Sequence, residues 1–184
     1  MHFRVLLPRS VDHRHLLRLC KFKFPVHHQR KYPTCWAYSV IACIELLYLR
    51  KYGVYKQFSV QEVIDYFTPT NALGYEMYST YGFCPITAIK FVWSHGLSLS
   101  HHRPYIGVRP NPPRTLLENR RHIVREYFNY DMRQNDTYYR RRWITEVMKV
   151  HLARQPVVMK FMIRIMTQEN LDIACKSWAM ILIR

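Results

Sequence analysis

The run from Cys35 to Tyr52 contains neither glycine nor proline, and it is punctuated at both ends, by Pro33 before and Gly53 after. Within it Trp36, Val40, Cys43 and Leu47 recur at helical spacing, which draws an apolar stripe along one side. Thr34 stands where an N-cap belongs and Gly53 where a left-handed stop belongs. Glu45, Arg50 and Lys51 are expected on the wetter side. A helix of this length is stable chiefly through what packs on its apolar stripe, so the rest of the chain must be organised around it. Cys43, inside the stripe, reads as a core residue.

Ser59-Val60-Gln61-Glu62 is a capping-box pattern in front of Val63, Ile64 and Phe67, with Pro69 closing a short helix. Pro85 suits the first turn of a third helix that carries Ile86, Ile89, Phe91 and Val92 and ends at Gly96. Beyond it Pro104, Pro110, Pro112 and Pro113 mark an extended connection. Arg114 to Arg142 is basic and rich in tyrosine. A helix is predicted from about Trp143 to Ala153, with Trp143, Val147, Val150 and Met148 on its buried side. Pro156 to Ile163 and Trp178 to Ile183 read as strands. Helices lead and strands follow, which points to an α+β arrangement with two unequal lobes.

The 184 residues are 49% hydrophobic and 15% aromatic, a composition that builds a core and excludes a disordered chain. Lys+Arg 28 against Asp+Glu 12 gives a formal +16, a field that attracts anions but does not specify a fold. Arg120-Arg121 and Arg140-Arg141-Arg142, interleaved with Tyr127, Phe128, Tyr130, Tyr138 and Tyr139, could hold single-stranded nucleic acid. A solvated basic insertion between lobes is the preferred reading, so nucleic acid is disfavoured as a partner. No apolar run is long enough to span a membrane. The patch Val5 to Leu7 is cut by Pro8-Arg9, too early for a signal peptide. The five cysteines form no CxxC pair. His13-x-His15, His27-His28 and His101-His102 lack cysteines or carboxylates at ligand spacing, so they read as surface histidines; no metal or other cofactor is expected. Asn135-Asp136-Thr137 matches a glycosylation acceptor, which matters only in a secreted chain.

Cys35 differs from the other thiols by position. It falls in the first turn of the long helix, where unpaired N–H groups and the helix dipole favour an anion, here a thiolate. The residues around it add to that reading. Cys35-Trp36-Ala37-Tyr38-Ser39 closely resembles the nucleophile signature of papain-like cysteine proteases. Gln29, six positions earlier, stands where that family has its oxyanion-hole glutamine. Leu7-Pro8-Arg9-Ser10-Val11-Asp12, Ser59 to Asp65, Pro85 with Ala88, His95-Gly96, Pro104-Tyr105-Ile106-Gly107 and Gln155-Pro156-Val157 resemble further family segments in the expected order.

The resemblance implies a papain-like two-lobe fold, with a helical left lobe at about 20–108 and a truncated β-rich right lobe at about 114–184 plus the N-terminal segment, all one peptidase domain over 1–184. It implies a peptide or protein ligand in the inter-lobe cleft, Cys35 as nucleophile and Gln29 as oxyanion donor. It also implies a vacuolar, lysosomal or extracellular setting, although the compartment and oligomeric state stay open.

Several positions depart from the family pattern. Ser177-Trp178-Ala179 matches the start of the family's histidine motif, which puts Trp178 where the imidazole should be, and indole has no basic nitrogen to offer. The orienting asparagine segment is not found before the sequence stops, and His151 is a conceivable surrogate base. Ser79 to Phe83 replaces a glycine-rich cleft loop. Tyr32 with Thr80, and Tyr66 with about Pro112, replace the partners of two family disulfides, a type of bridge whose loss typically costs about 2–5 kcal/mol. The expectation is a cysteine-type peptidase homologue, weakly active or inactive. The alternatives are a non-catalytic peptide-binding or inhibitory module and, less favoured, a basic nucleic-acid-binding module.

Overall fold

In the computed structural model, residues 10, 25, 27–29, 33–66, 84–107, 115–131, 138–155, 157–166 and 170–183 are described; for 130–131, 138–141, 158–166 and 170–183 this covers the backbone alone. Helix α1 spans Cys35–Tyr52, the predicted bounds, and ends on Gly53 at φ 68°, whose N–H donates to the Leu49 carbonyl at 2.8 Å. Trp36, Ala37, Val40, Ile41, Cys43, Ile44 and Leu47 are buried along it. Thr34 occupies the N-cap position, but its hydroxyl makes no capping bond and instead meets the Tyr105 hydroxyl at 3.1 Å.

One residue of α1 overturns its expectation. Glu45 is buried, not wet: its carboxylate accepts the Phe58 N–H at 2.8 Å and the Tyr55 hydroxyl at 3.0 Å. It tethers the segment after α1 back onto the helix. A helical carboxylate near surface lysine and arginine looks solvated in sequence, and only the path of the next loop decides otherwise.

Helix α2, Val60–Tyr66, begins with half of the predicted capping box. The Ser59 hydroxyl accepts the Glu62 N–H at 3.1 Å. Glu62 does not reach back to Ser59; its Oε2 accepts the Ser98 N–H at 2.9 Å and the Ser98 hydroxyl at 2.6 Å, while the Ser59 N–H donates to the Ser98 carbonyl. Buried Asp65 faces Arg103 at 3.5 Å, and Gln61 accepts from the N–H of Ile106 and of Gly107. These polar side chains pin the 97–107 segment against α2. Helix α3, Pro85–His95, runs between the predicted bounds, from a proline in its first turn to Gly96. The Tyr66 ring packs at a tilt against Phe91 at 4.9 Å and His95 at 4.7 Å between ring centroids.

The remainder is a three-stranded antiparallel sheet of order β1-β3-β2, with β1 at Val124–Asp131, β2 at Val158–Met166 and β3 at Asn170–Ile183, and helix α4 at Tyr138–Arg154 between β1 and β2. The stretch read as a basic insertion therefore contains a strand and the start of a helix. Val124 is buried and Tyr127 packs against the core, while Arg125, Phe128 and Asn129 are exposed. In α4 one residue departs from the prediction: Trp143 is 58% exposed and Ile144 only 5%, while Val147, Met148 and Val150 are partly buried. Both C-terminal strands are longer than expected. The core gathers α1, α2, α3 and the start of β1, and α1 also lies against β2 and β3.

Among the described residues no helix is long and apolar enough to cross a membrane. The expectations about residues 1–9, 79–83, Tyr32, Thr80, Pro112, His13-x-His15 and Asn135-Asp136-Thr137 fall outside the described residues.

Candidate active site

Helix α1 starts at the floor of an open cleft of about 610 Å³ lined by Pro25, His27, His28, Gln29, Cys35, Tyr38, Ser39 and Ala42. Cys35 is the first helical residue, a free thiol exposed to solvent, whereas Cys43 two turns on is buried and its thiol is pushed up to about 12 by burial. The contrast follows from helix geometry. Residues 35, 38, 39 and 42 share the face turned to the cleft, and 36, 40, 43, 44 and 47 the face turned to the core.

A phenol helps to fasten the stretch of chain before α1. The Tyr105 hydroxyl donates to the Gln29 carbonyl at 2.8 Å and lies 3.1 Å from the Thr34 hydroxyl. Its ring meets Tyr38 edge-on, with centroids 5.1 Å apart. Tyr38 in turn packs against His27 at 5.5 Å. The chain Tyr105–Tyr38–His27 thus sets one wall of the cleft, and Gln29 is brought to the same opening as Cys35, six residues later. Burial lowers the His27 imidazole from its ordinary value of 6.5, so it is neutral near pH 7.

The sequence reading placed His27-His28 among surface histidines. His28 is exposed, but His27 is half-buried and both line the cleft with Cys35. Nothing local in the sequence marks this; the link is the Tyr38 ring, one turn into the helix. His151, the surrogate considered from sequence, sits half-buried in the last turn of α4, its imidazole lowered by burial and then by Arg154, and it does not line this cleft. His101 and His102 face each other at 4.0 Å on the 97–107 segment. Among the described residues no group of three His, Cys, Asp or Glu side chains could hold a metal ion.

Trp178 lies on β3, the central strand, its backbone paired with Tyr130 of β1 and Met159 of β2. Since α1 lies against β3, the element carrying Trp178 neighbours the helix that begins with Cys35.

A family model described as papain family cysteine protease matches residues 7–170. The fold is similar to the proform of the ragweed pollen allergen Amb a 11, a cysteine protease (TM-score 0.59, 21% identity, 86% of this chain and 43% of that one). It is also similar to the bromelain protease of Ananas comosus in complex with the E64 inhibitor (0.54, 22%, 83% and 61%). A Carica candamarcensis cysteine protease in complex with E-64 gives 0.52, 22%, 83% and 62%. The chain spans less than two thirds of each of these structures. No curated protein matches it in sequence. The α+β arrangement expected from the sequence is thus a papain-like fold.

Proposed function

This chain belongs to the papain family of cysteine proteases, and from that membership we propose that its Cys35–Gln29 cleft binds peptide segments around a reactive thiol but turns them over weakly or not at all. One observation carries the reading: Cys35 and Gln29 line one cleft. By the sequence resemblance, Trp178, on a strand that neighbours the helix of Cys35, stands where the family's histidine motif would begin.

The chemistry follows from what each group can do. A thiolate at Cys35, the first residue of α1, attacks a scissile carbonyl. The Gln29 side chain and the Cys35 N–H are the oxyanion donors in this reading, a contribution worth about 10²–10³ in rate. Completion of the cycle needs a proton on the departing amine, and an indole N–H does not ionise to supply it. Loss of one member of a coupled catalytic group can cost nearly as much as loss of all.

The test is hydrolysis of a fluorogenic dipeptide by the protein and by Cys35→Ala. The expected result is no difference between them at ordinary protease rates, together with alkylation of Cys35 in the parent. Cysteine-dependent hydrolysis at those rates would refute the proposal.

A further inference from the structure

We propose that His27 is the proton acceptor for the Cys35 thiol, an imidazole supplied from the chain before α1 instead of from β3. The inference rests on the reading of Cys35 as the reactive group of the cleft. Three observations support it. His27 and Cys35 line the same cleft. The His27 ring is held in place against Tyr38, which stands one helical turn after Cys35 and is itself braced by Tyr105. Burial keeps the imidazole neutral near pH 7, the form with a lone pair to offer.

Among the described residues, the titratable groups at the cleft and its wall are His28, Cys35, Tyr38 and Tyr105, and no described lysine, arginine or carboxylate lines the cleft. The proton leaves sulfur for the free ring nitrogen, directly or across one water, leaving thiolate and imidazolium. With an alkyl iodide as electrophile, the sulfur lone pair forms the S–C bond. The C–I bond breaks, and iodide departs with its electron pair. Peptide cleavage asks for more, because the same imidazolium must then reach the departing amine. A thiol that alkylates readily and a chain that hydrolyses slowly are therefore compatible.

The experiment follows iodoacetamide alkylation of Cys35 in the full chain by intact mass and peptide mapping, from pH 4.5 to 9. The parent is expected to show a rise in rate centred below pH 6.5, where His27 loses its proton. His27→Gln and His27→Phe should both lose that rise, with about a tenfold slower reaction at pH 7. His27→Phe keeps a ring against Tyr38, so a role in packing alone would leave its profile like the parent's. Circular dichroism and the melting temperature establish that both variants fold.

A low-pH limb that persists in both variants, or one that disappears in His28→Gln instead, overturns the proposal. So does a parent with no such limb. Alkylation reads proton abstraction alone. Failure here with Cys35 still labelled leaves the peptide-cleft reading standing, while rapid cysteine-dependent hydrolysis would end that reading and leave this one intact.

Discussion

Replacing Glu45 by glutamine should remove one pH-dependent contribution to stability. The carboxyl is buried at the inner side of α1, and burial raises it from 4.5 to about 7, overriding the opposing effect of the bonds from Phe58 and Tyr55. At 1.36 kcal/mol per pH unit, that displacement corresponds to a linkage of roughly 3 kcal/mol. The sign follows from the direction. A carboxyl whose folded value is raised binds its proton more tightly in the fold, so its contribution is full below pH 4.5. It is lost as the pH rises to about 7, and the loss levels off above. Glutamine keeps the shape, its amide oxygen accepting from the Phe58 N–H and its amide N–H donating to the Tyr55 oxygen, but it has no proton to lose. Urea unfolding of parent and Glu45→Gln at pH 5 and pH 8 provides the comparison. All other titrating groups cancel in the difference between the two proteins. That difference should shift by about 2–3 kcal/mol in favour of glutamine between the two pH values. Parallel stability curves, within about 0.5 kcal/mol, would show that Glu45 is hydrated or already neutralised and would refute the linkage.

Three further outcomes follow from the same packing. In the native protein at pH 8, iodoacetamide should modify Cys35 and spare Cys43, whose buried thiol, at about 12, stays protonated; mass spectrometry should find Cys43 labelled only after denaturant is added. Gly96→Ala should cost roughly 1–3 kcal/mol by urea unfolding, because φ is +75° and a Cβ there would lie 2.8 Å from the Arg121 carbonyl oxygen. That backbone oxygen cannot step aside, since it accepts the Leu97 N–H at 3.0 Å. Glu62→Ala should cost about 3–5 kcal/mol, since it strands the Ser98 N–H and hydroxyl in the interior and removes the carboxylate facing Arg120 at 3.9 Å; Glu62→Gln should recover part of the loss.

The elements that could be read from the sequence are those whose signals are local. A breaker-free run ending in glycine gave α1 its bounds, and a proline and a glycine gave α3 its own. What could not be read depends on distant partners. Strand β1 carries charges and a bulge between Val124 and Glu126 that break its alternation, and its register comes from β3, about fifty residues later. Helix α4 opens on Tyr-Tyr-Arg-Arg-Arg, with no stripe to choose between Trp143 and its neighbour, and the packing chose Ile144. The burial of Glu45 leaves no local signal because it depends on Tyr55 and Phe58 folding back over it.

The cleft shows the same division at the scale of a site. Cys35 could be found from the sequence because helix start, thiol and neighbouring residues coincide within five positions. The aromatic wall beside it could not, because it is built through Tyr105, more than seventy residues beyond Gln29, whose carbonyl it holds. A search for a base in the sequence therefore looks for a motif, and Ser177-Trp178-Ala179 offers no imidazole. The fold instead brings an imidazole to the cleft of the thiol through ring contacts, Tyr105 on Tyr38 and Tyr38 on His27, which need only aromatic residues at those three positions and leave no signature spacing. If Trp178 took the place of the family's histidine while the cleft stayed open, then the reactivity of Cys35 depends on that aromatic wall. Tyr38→Ala should therefore slow alkylation at pH 7 as much as His27→Gln does.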